Sequence, residues 1–222
     1  YNSVEMAFYT AVFGTVVIFV GAYVVEKIKS DEKLRGIVQF FALMPMAVPG
    51  LVLGLAYIFY FNSKENPLNF IYATMAILVI NTIVHFYTVS HLTGVTALKQ
   101  MDKEFEAVSL SLKVAIYKMF WRVTLPVCLP TIFDISIYLF VNAMTTVSGV
   151  IFLYTYHTTL ASVSSIHLDE QGDVAGAAAM AMLIVYVSIF VRLIHAIITK
   201  GILKKTQAWR YGSEREILKD GN

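Results

Sequence analysis

A polar stripe on one predicted helix is the clearest candidate for solute chemistry in this sequence. Its five members fall within an arc of about 120° when successive residues are placed 100° apart. They are Asp134, Tyr138, Asn142, Thr145 and Ser148. Because polar groups cost free energy in hydrocarbon, this face should contact water or other protein rather than lipid. The stripe fits two roles, the lining of a path for a hydrophilic solute or interhelical hydrogen bonds worth about 0.6–2 kcal/mol each.

A charged, amphipathic segment precedes that helix, at residues 101–126. Acidic residues open it and would stand in a first helical turn, where they are favourable against the helix dipole. Apolar residues then recur at intervals of mostly three or four, at Phe105, Val108, Leu112, Ile116, Met119, Phe120 and Val123. This spacing predicts a helix with one apolar face. Such a helix could lie in a membrane interface or dock its apolar face into a groove of a partner protein.

Several other chemistries have no pattern in the sequence. There is no Gly-x-x-x-x-Gly-Lys-Ser/Thr loop for a nucleotide. No clustered nucleophile is present, and the surroundings of His85 and His91 offer no metal-ligand spacing. The single cysteine, Cys128, lies in an apolar run and is predicted to be a small buried hydrophobe. We therefore expect neither an enzyme nor a chain that holds a cofactor or metal, and a net charge of +2 leaves no nucleic-acid footprint.

The composition predicts an all-α, polytopic membrane protein. Hydrophobic residues make up 58% of the 222 residues and charged residues 14%, against about 25% charged in soluble domains. A membrane-spanning helix needs about 20 mostly apolar residues. Five blocks meet that requirement, at 6–25, 37–62, 69–90, 127–156 and 173–199. The sequence therefore predicts five spans.

The distribution of basic residues predicts how these spans are oriented. Of the 17 lysines and arginines, 15 lie in the connectors 26–36 and 91–126 and in the tail beyond residue 199. Five spans place these three segments on the same side of the membrane. Because basic residues in short loops mark the cytoplasm, we expect the N-terminus of the chain outside and its C-terminus inside. The loops 63–68 and 157–172 would then face the exterior.

Two of the predicted spans contain local irregularities. The second holds Pro45, Pro49 and Gly50, and because proline removes a backbone donor and clashes with the preceding turn, this run predicts a kinked or locally opened helix. Such a break is tolerated in a membrane where protein or a wet cavity satisfies the freed backbone groups. The fifth begins with small residues at 175/179 and 177/181, a spacing that favours close helix packing.

The amphipathic segment resembles the cytoplasmic "EAA" loop of bacterial ABC importer permeases. Glu106-Ala107 matches the opening of that loop and residues 123–126 (Val-Thr-Leu-Pro) match its ending, while the Pro-x-Ala-x-Pro-Gly run at 45–50 also recurs in these permeases. Longer stretches, at 104–113, 120–130, 138–148 and 176–186, resemble the permeases of 2-aminoethylphosphonate importers. The match departs from the family at Leu112, where glycine is usual, and the loop is one residue longer than usual.

The resemblance implies a five-helix type I ABC importer permease core with a cytoplasmic coupling helix. Residues 1–205 would form the transmembrane domain, with the coupling loop at about 97–126, and residues 206–222 a cytoplasmic tail. Because such permeases are often fused in pairs, and this chain starts at Tyr1 directly before a span, it is expected to be the C-terminal half of a longer permease.

The resemblance also implies a function, the import of a small hydrophilic solute across the bacterial inner membrane by alternating access. The expected partners are an ABC ATPase dimer, a periplasmic substrate-binding protein, a second permease half and the lipid bilayer. Glu106 would be the charged anchor to the ATPase, and Ala107 would allow close approach. The residues expected to supply buried area there are Phe105, Leu110, Leu112 and Phe120. The polar stripe would border the path, with Asn142 nearest to mid-span.

Three other functions remain open at this stage. An ABC permease for another substrate, such as ferric iron, fits the same motifs as a permease for 2-aminoethylphosphonate. A proton-coupled secondary transporter would need paired ionisable groups within the membrane, for which Asp134 and Arg192 are the candidates. A membrane enzyme would need a nucleophile, or His and acid side chains, on facing helices.

Overall fold

The computed structural model describes residues 1–27, 32–101 and 103–206, and within these ranges every regular element is helical. The α-helices in chain order are α1 (Asn2–Lys27), α2 (Glu32–Ala47), α3 (Gly50–Phe61), α4 (Met75–His85), α5 (Tyr87–Lys99), α6 (Lys103–Ser111), α7 (Ile116–Met119), α8 (Leu125–Thr145), α9 (Ala161–Glu170) and α10 (Val174–Thr206). A π-helical segment, Phe120–Thr124, joins α7 to α8. The all-α prediction is confirmed, and the tail from residue 207 lies outside the described residues.

Three helices are long and apolar enough to cross a membrane by themselves. They are Asn2–Glu26, Ile116–Thr145 and Val174–Gly201. The other two predicted spans are pairs of shorter helices, since α2 and α3 meet at a bend of 107° and α4 and α5 at a bend of 56°. Five spans result if each bent pair crosses once.

The bend between α2 and α3 lies where the prolines predicted a break. α2 ends at Ala47, two residues before Pro49, because a residue that precedes proline is pushed out of helical geometry. Pro49 itself is extended (φ −57°, ψ 141°), and α3 starts at Gly50. The predicted irregularity is therefore confirmed, and it turns the chain far more sharply than a simple proline kink.

The core is built around α1, which packs against α8, α5 and α4. One cluster of buried residues joins Met6 of α1 to Leu78 of α4 and Ala143 of α8. A second cluster joins Phe19 of α1 to Val95 of α5 and to Cys128 of α8, whose thiol is free and buried as predicted. On the sides of α5 and α8 that turn away from these clusters, Thr96 and Asp134 are exposed.

The small residues at the start of α10 pack less closely than the sequence predicted. Ala177 is buried, and its carbonyl accepts a hydrogen bond of 3.0 Å from the Ser165 hydroxyl of α9. Ala175 and Ala179 are exposed. Further along α10, Ile184 and Val191 contact the core cluster that includes α8. Close packing is therefore confirmed only at Ala177, because α9 covers just one side of this helix.

The orientation of the helices across the membrane follows from charge and stays a prediction. Lys113 is exposed in the turn between α6 and α7, so a cysteine placed there is open to labelling reagents. We expect Lys113→Cys to react with an impermeant maleimide only after the cells are permeabilised. Lys64→Cys, in the loop on the opposite side, should react in intact cells, and buried Cys128 gives little background. Labelling at position 113 from outside intact cells would overturn the topology.

Candidate functional site

The predicted coupling segment folds as two short helices joined by a tight turn. Two residues after the end of α6, Lys113 adopts a left-handed conformation (φ 52°), and the Val114 amide donates to the Ser109 carbonyl at 2.9 Å. This is the Schellman arrangement that satisfies carbonyls at a helix C-terminus. The left-handed residue comes one position after Leu112, which occupies the usual glycine position of the family. The bend therefore forms without that glycine.

This segment, which lies in a predicted connector between two spans, exposes several apolar side chains. Phe105 is 40% exposed and Leu112 69%, and α7 and the π segment add Ile116 and Trp121 at 67% and 64%. A groove of about 560 Å³ lies between α6 and the following helix, lined by Phe105, Leu112 and Met119 among others. Contiguous exposed apolar surface of this kind marks a site for protein or membrane contact. We name α6, α7 and the turn between them the coupling surface.

Five of the six predicted coupling residues lie in α6 or directly after it, and the sixth, Phe120, begins the π segment. Phe105 and Leu112 are exposed on the coupling surface, as the proposed role requires. Glu106, Ala107 and Leu110 lie within α6, but their side chains are outside the part of the chain that the structure describes.

Phe120 is placed differently from the prediction. Its ring packs inside the chain against Tyr23 and Phe19 of α1, at centroid distances of 4.7 and 6.3 Å. It begins the π-helical segment, whose wider turns displace side chains from α-helical spacing. A single helical count from Phe105 does not reach Phe120, because the left-handed residue Lys113 separates α6 from α7. The observed contacts of Phe120 tie α1 to the base of α8.

The polar stripe of α8 lies at the edge of the core. Asp134 and Thr145 are exposed, Asn142 is partly buried, and Tyr138 packs against the cluster of buried Ile18, Ile135 and Leu139. The stripe ends earlier than predicted, because α8 stops at Thr145.

Ser148 was assigned to the stripe and lies instead in the turn that follows α8. There it is exposed and stands against Gly50, the first residue of α3. The helical face was extended too far, although Gly149 directly after Ser148 is a residue type that commonly follows the end of a helix. The turn is held by fully buried Asn81, whose Nδ2 donates to the Gly149 carbonyl at 2.7 Å.

Two members of the stripe bond to their own helix. Asn142 Nδ2 donates to the Tyr138 carbonyl at 2.8 Å, and the Thr145 hydroxyl donates to the Val141 carbonyl at 3.1 Å. Hydrogen bonds of this type, to the carbonyl four residues back, satisfy a polar side chain without a partner from another helix. Asn142 therefore already has a hydrogen-bond partner within its own helix. This weakens the prediction that Asn142 is the main contact for a solute.

Asp134 has a different environment from the rest of the stripe. Its carboxylate is 59% exposed, and Oδ1 lies 3.6 Å from Nε2 of His195 on α10. It also borders a cavity of about 470 Å³ between α5 and α8. The polar side chains that line this cavity are Thr93, Thr96, Gln100, Thr131 and Asp134.

The residues from α5 were not predicted as part of a site. Thr93, Thr96 and Gln100 are exposed and follow one another at intervals of three and four, which is the spacing of a polar helical face. That pattern was present in the sequence, but residues 91–126 were predicted to be a connector, whereas α5 continues to Lys99. Within the described ranges, no group of three or more His, Cys, Asp or Glu side chains is arranged to hold a metal ion.

Comparisons with known proteins identify the family and the fold. The profile of the family described as "Binding-protein-dependent transport system inner membrane component" matches residues 14–204. The ferric transport system permease protein FbpB of Actinobacillus pleuropneumoniae is 31% identical over 178 residues, which cover 80% of this chain and 25% of that protein. A Haemophilus influenzae protein, also named as an FbpB, is 34% identical over 149 residues, 67% of this chain and 22% of the relative. The chain thus spans about a quarter of the length of these relatives.

Two solved structures share the fold at low sequence identity. A chain of the inward-facing MetNI methionine ABC transporter superposes with a TM-score of 0.76 at 13% identity, covering 90% of this chain and 93% of that one. A chain of a bacterial ABC transporter involved in alginate import gives a TM-score of 0.78 at 16% identity, covering 90% and 77%. The predicted fold, that of type I ABC importer permeases, is therefore confirmed.

Proposed function

Because the chain belongs to the family of binding-protein-dependent transport system inner membrane components, we propose that it is a permease unit of an ATP-driven importer. The observation that carries this proposal is the coupling surface, whose apolar side chains are exposed at one end of the helical bundle. An apolar helical face suits a groove on a partner protein. In this proposal the partner is an ABC ATPase dimer, and the chain itself binds no nucleotide.

The connection from the coupling surface to the polar face suggests how motion is transmitted. α7, the π segment and α8 form one helical stretch, Ile116–Thr145, that carries Asp134 and Tyr138. Closure of the ATPase dimer would displace α6 and α7, and this stretch would carry the displacement to the polar face. Because Phe120 packs against Tyr23 and Phe19, α1 would move with α8. The result is rocking of the permease between inward-open and outward-open states.

The same proposal assigns the remaining partners. The exposed polar faces of α5 and α8 would meet a second permease half, fused or separate, and enclose the path between them. A periplasmic binding protein would deliver the solute at the exterior loops. The chain would lie in the bacterial inner membrane with the coupling surface in the cytoplasm.

For the solute, we place ferric iron before 2-aminoethylphosphonate. The Actinobacillus relative is named for ferric transport, whereas the phosphonate assignment rests on resemblance in four stretches of sequence. Oxygen-donor side chains such as those beside Asp134 suit a hard cation, and they suit an ammonium group equally. The chemistry of the polar face therefore admits both solutes.

Reconstitution of the complete importer in proteoliposomes tests this function. With ATP supplied on the ATPase side, we expect binding-protein-dependent uptake of radioactive ferric ion or of labelled 2-aminoethylphosphonate. A non-hydrolysable ATP analogue should abolish uptake. Uptake driven by an imposed proton gradient in the absence of ATP would instead favour the proton-coupled transporter, for which Asp134 and His195 offer a pair of ionisable groups.

A further inference from the structure

We propose that the cavity between α5 and α8 is a binding site, along the transport path, for the positively charged part of the solute. Asp134 gives this site its preference for positive charge. The inference rests on the proposed function, since it requires that a solute pass along α8. It assigns a specificity-determining role to one residue of the stripe and adds α5 to the path.

The cavity has a polar lining that suits a cation. Its polar groups are the hydroxyls of Thr93, Thr96 and Thr131, the amide of Gln100 and the carboxylate of Asp134. Oxygen atoms of these kinds accept hydrogen bonds from ammonium groups and are the ligands that hard cations prefer. Its volume of about 470 Å³ lies within the range of about 300–1,000 Å³ that is usual for small-molecule sites.

The cavity also has a negatively charged lining. Among the described residues that line it, Asp134 is the only one with a formally charged side chain. A carboxylate within a membrane is costly, at about 2.5–3.5 kcal/mol near the centre of a helix, unless it meets water or a partner. Because low-dielectric walls focus the field of a lone charge, this cavity should attract cationic groups and repel anionic ones.

The contact with His195 leaves Asp134 available. The 3.6 Å between Oδ1 and Nε2 is longer than the 2.7–2.9 Å or so of a strong charge-assisted hydrogen bond. His195 Nε2 also lies 3.3 Å from the Thr199 hydroxyl within α10. The carboxylate is 59% exposed while His195 is 18% exposed, so His195 supports Asp134 from α10 and much of the carboxylate remains open.

The alternative is that Asp134 has a purely structural role, and an experiment must distinguish this role from the proposed one. In that case Asp134 would hold α10 against α8 through His195 and would not contact the solute. Both readings predict damage from Asp134→Asn, but only the structural one predicts equal damage from His195→Gln.

The test uses the complete importer in proteoliposomes with ATP and the loaded binding protein, in one arm with ferric ion and in another with 2-aminoethylphosphonate. Asp134→Asn should lower uptake about tenfold or more, while stimulation of ATP hydrolysis by the binding protein stays within about twofold of wild type. Asp134→Glu should restore most of the uptake, and His195→Gln should leave it near wild type. Glu32→Gln removes a carboxylate from an exposed site at the start of α2, outside both the cavity and the exterior loops, and serves as the matched control.

A second pair of variants keeps the proposal testable if Asp134→Asn does not reach the membrane. Thr131→Lys places an ammonium in the same cavity, and Thr131→Met adds similar length without charge. We expect uptake to fall further with Lys than with Met, and equal effects would contradict the proposal.

The outcomes separate this inference from the proposed function. If the wild-type complex takes up neither solute with ATP, the proposed function itself fails. If uptake is ATP-driven but unchanged by Asp134→Asn, or equally impaired by His195→Gln, only the proposed charge-selective binding site is overturned. The arm that shows the Asp134 effect identifies whether a metal ion or an ammonium group is the cation recognised.

Discussion

Replacing Glu106 with lysine is expected to abolish ATP-driven uptake while the protein remains in the membrane. Glu106 lies near the middle of α6, on the segment whose neighbours Phe105 and Leu112 are exposed. If it pairs with a basic group in the ATPase groove, reversal of its charge costs about 2–5 kcal/mol of binding free energy. That loss corresponds to an association at least about 30-fold weaker.

Two measurements check this prediction, co-purification of the ATPase with the permease and uptake by the reconstituted complex. Glu32→Lys makes the same change at an exposed site at the start of α2, outside the coupling surface and the exterior loops, and it should leave both unaffected. Normal uptake and normal ATPase association in Glu106→Lys would show that the coupling surface has been wrongly assigned.

Replacing Gly54 with valine is expected to lower the stability of the fold by about 1–3 kcal/mol, the usual cost of overpacking a close-packed interior. A Cβ atom at this position of α3 would lie 2.9 Å from the carbonyl oxygen of Gly149 and 3.7 Å from the Phe152 ring. Because the first of these neighbours is backbone, it cannot move aside by a change of rotamer. The turn after α8, which carries Ser148, would have to shift.

Gly36→Ala is the matched control for this effect. A Cβ atom at Gly36 meets nothing within 4 Å, and alanine is more favourable than glycine in a helix interior by about 0.5–1 kcal/mol. The folded fraction recovered after heating in detergent should therefore fall for Gly54→Val and stay level or rise for Gly36→Ala. Similar recovery of both variants would mean that α3 does not dock closely on the turn.

The contacts of α3 also show why the bend at Pro49 matters. The prolines made a break predictable, but its angle of 107° comes from what α3 packs against. The glycines at 50 and 54 let this helix lie against the Ser148–Gly149 backbone. Those two segments are about a hundred residues apart in sequence, so no local pattern reports their contact.

The sequence by itself determined the class of this protein and its main elements. Apolar blocks of span length, the position of the helix break, the amphipathic coupling segment and the burial of Cys128 are all local properties of composition and period. The helical period also grouped Asp134 and Thr145, both exposed in the fold, on one face of α8. Each of these features depends on residues within a few helical turns of one another. They could therefore be predicted without the tertiary structure.

Only the tertiary structure decided how those elements meet. It placed Phe120 against α1 and moved Ser148 off the helix. It added Thr93 and Thr96 of α5, and Gln100 directly after α5, to the cavity beside Asp134, and it brought His195 to that carboxylate. Each of these contacts joins residues from different helices, or depends on where a helix ends or changes pitch. The helical period defines the direction of a side chain around its own axis, but packing against other helices determines what that side chain meets.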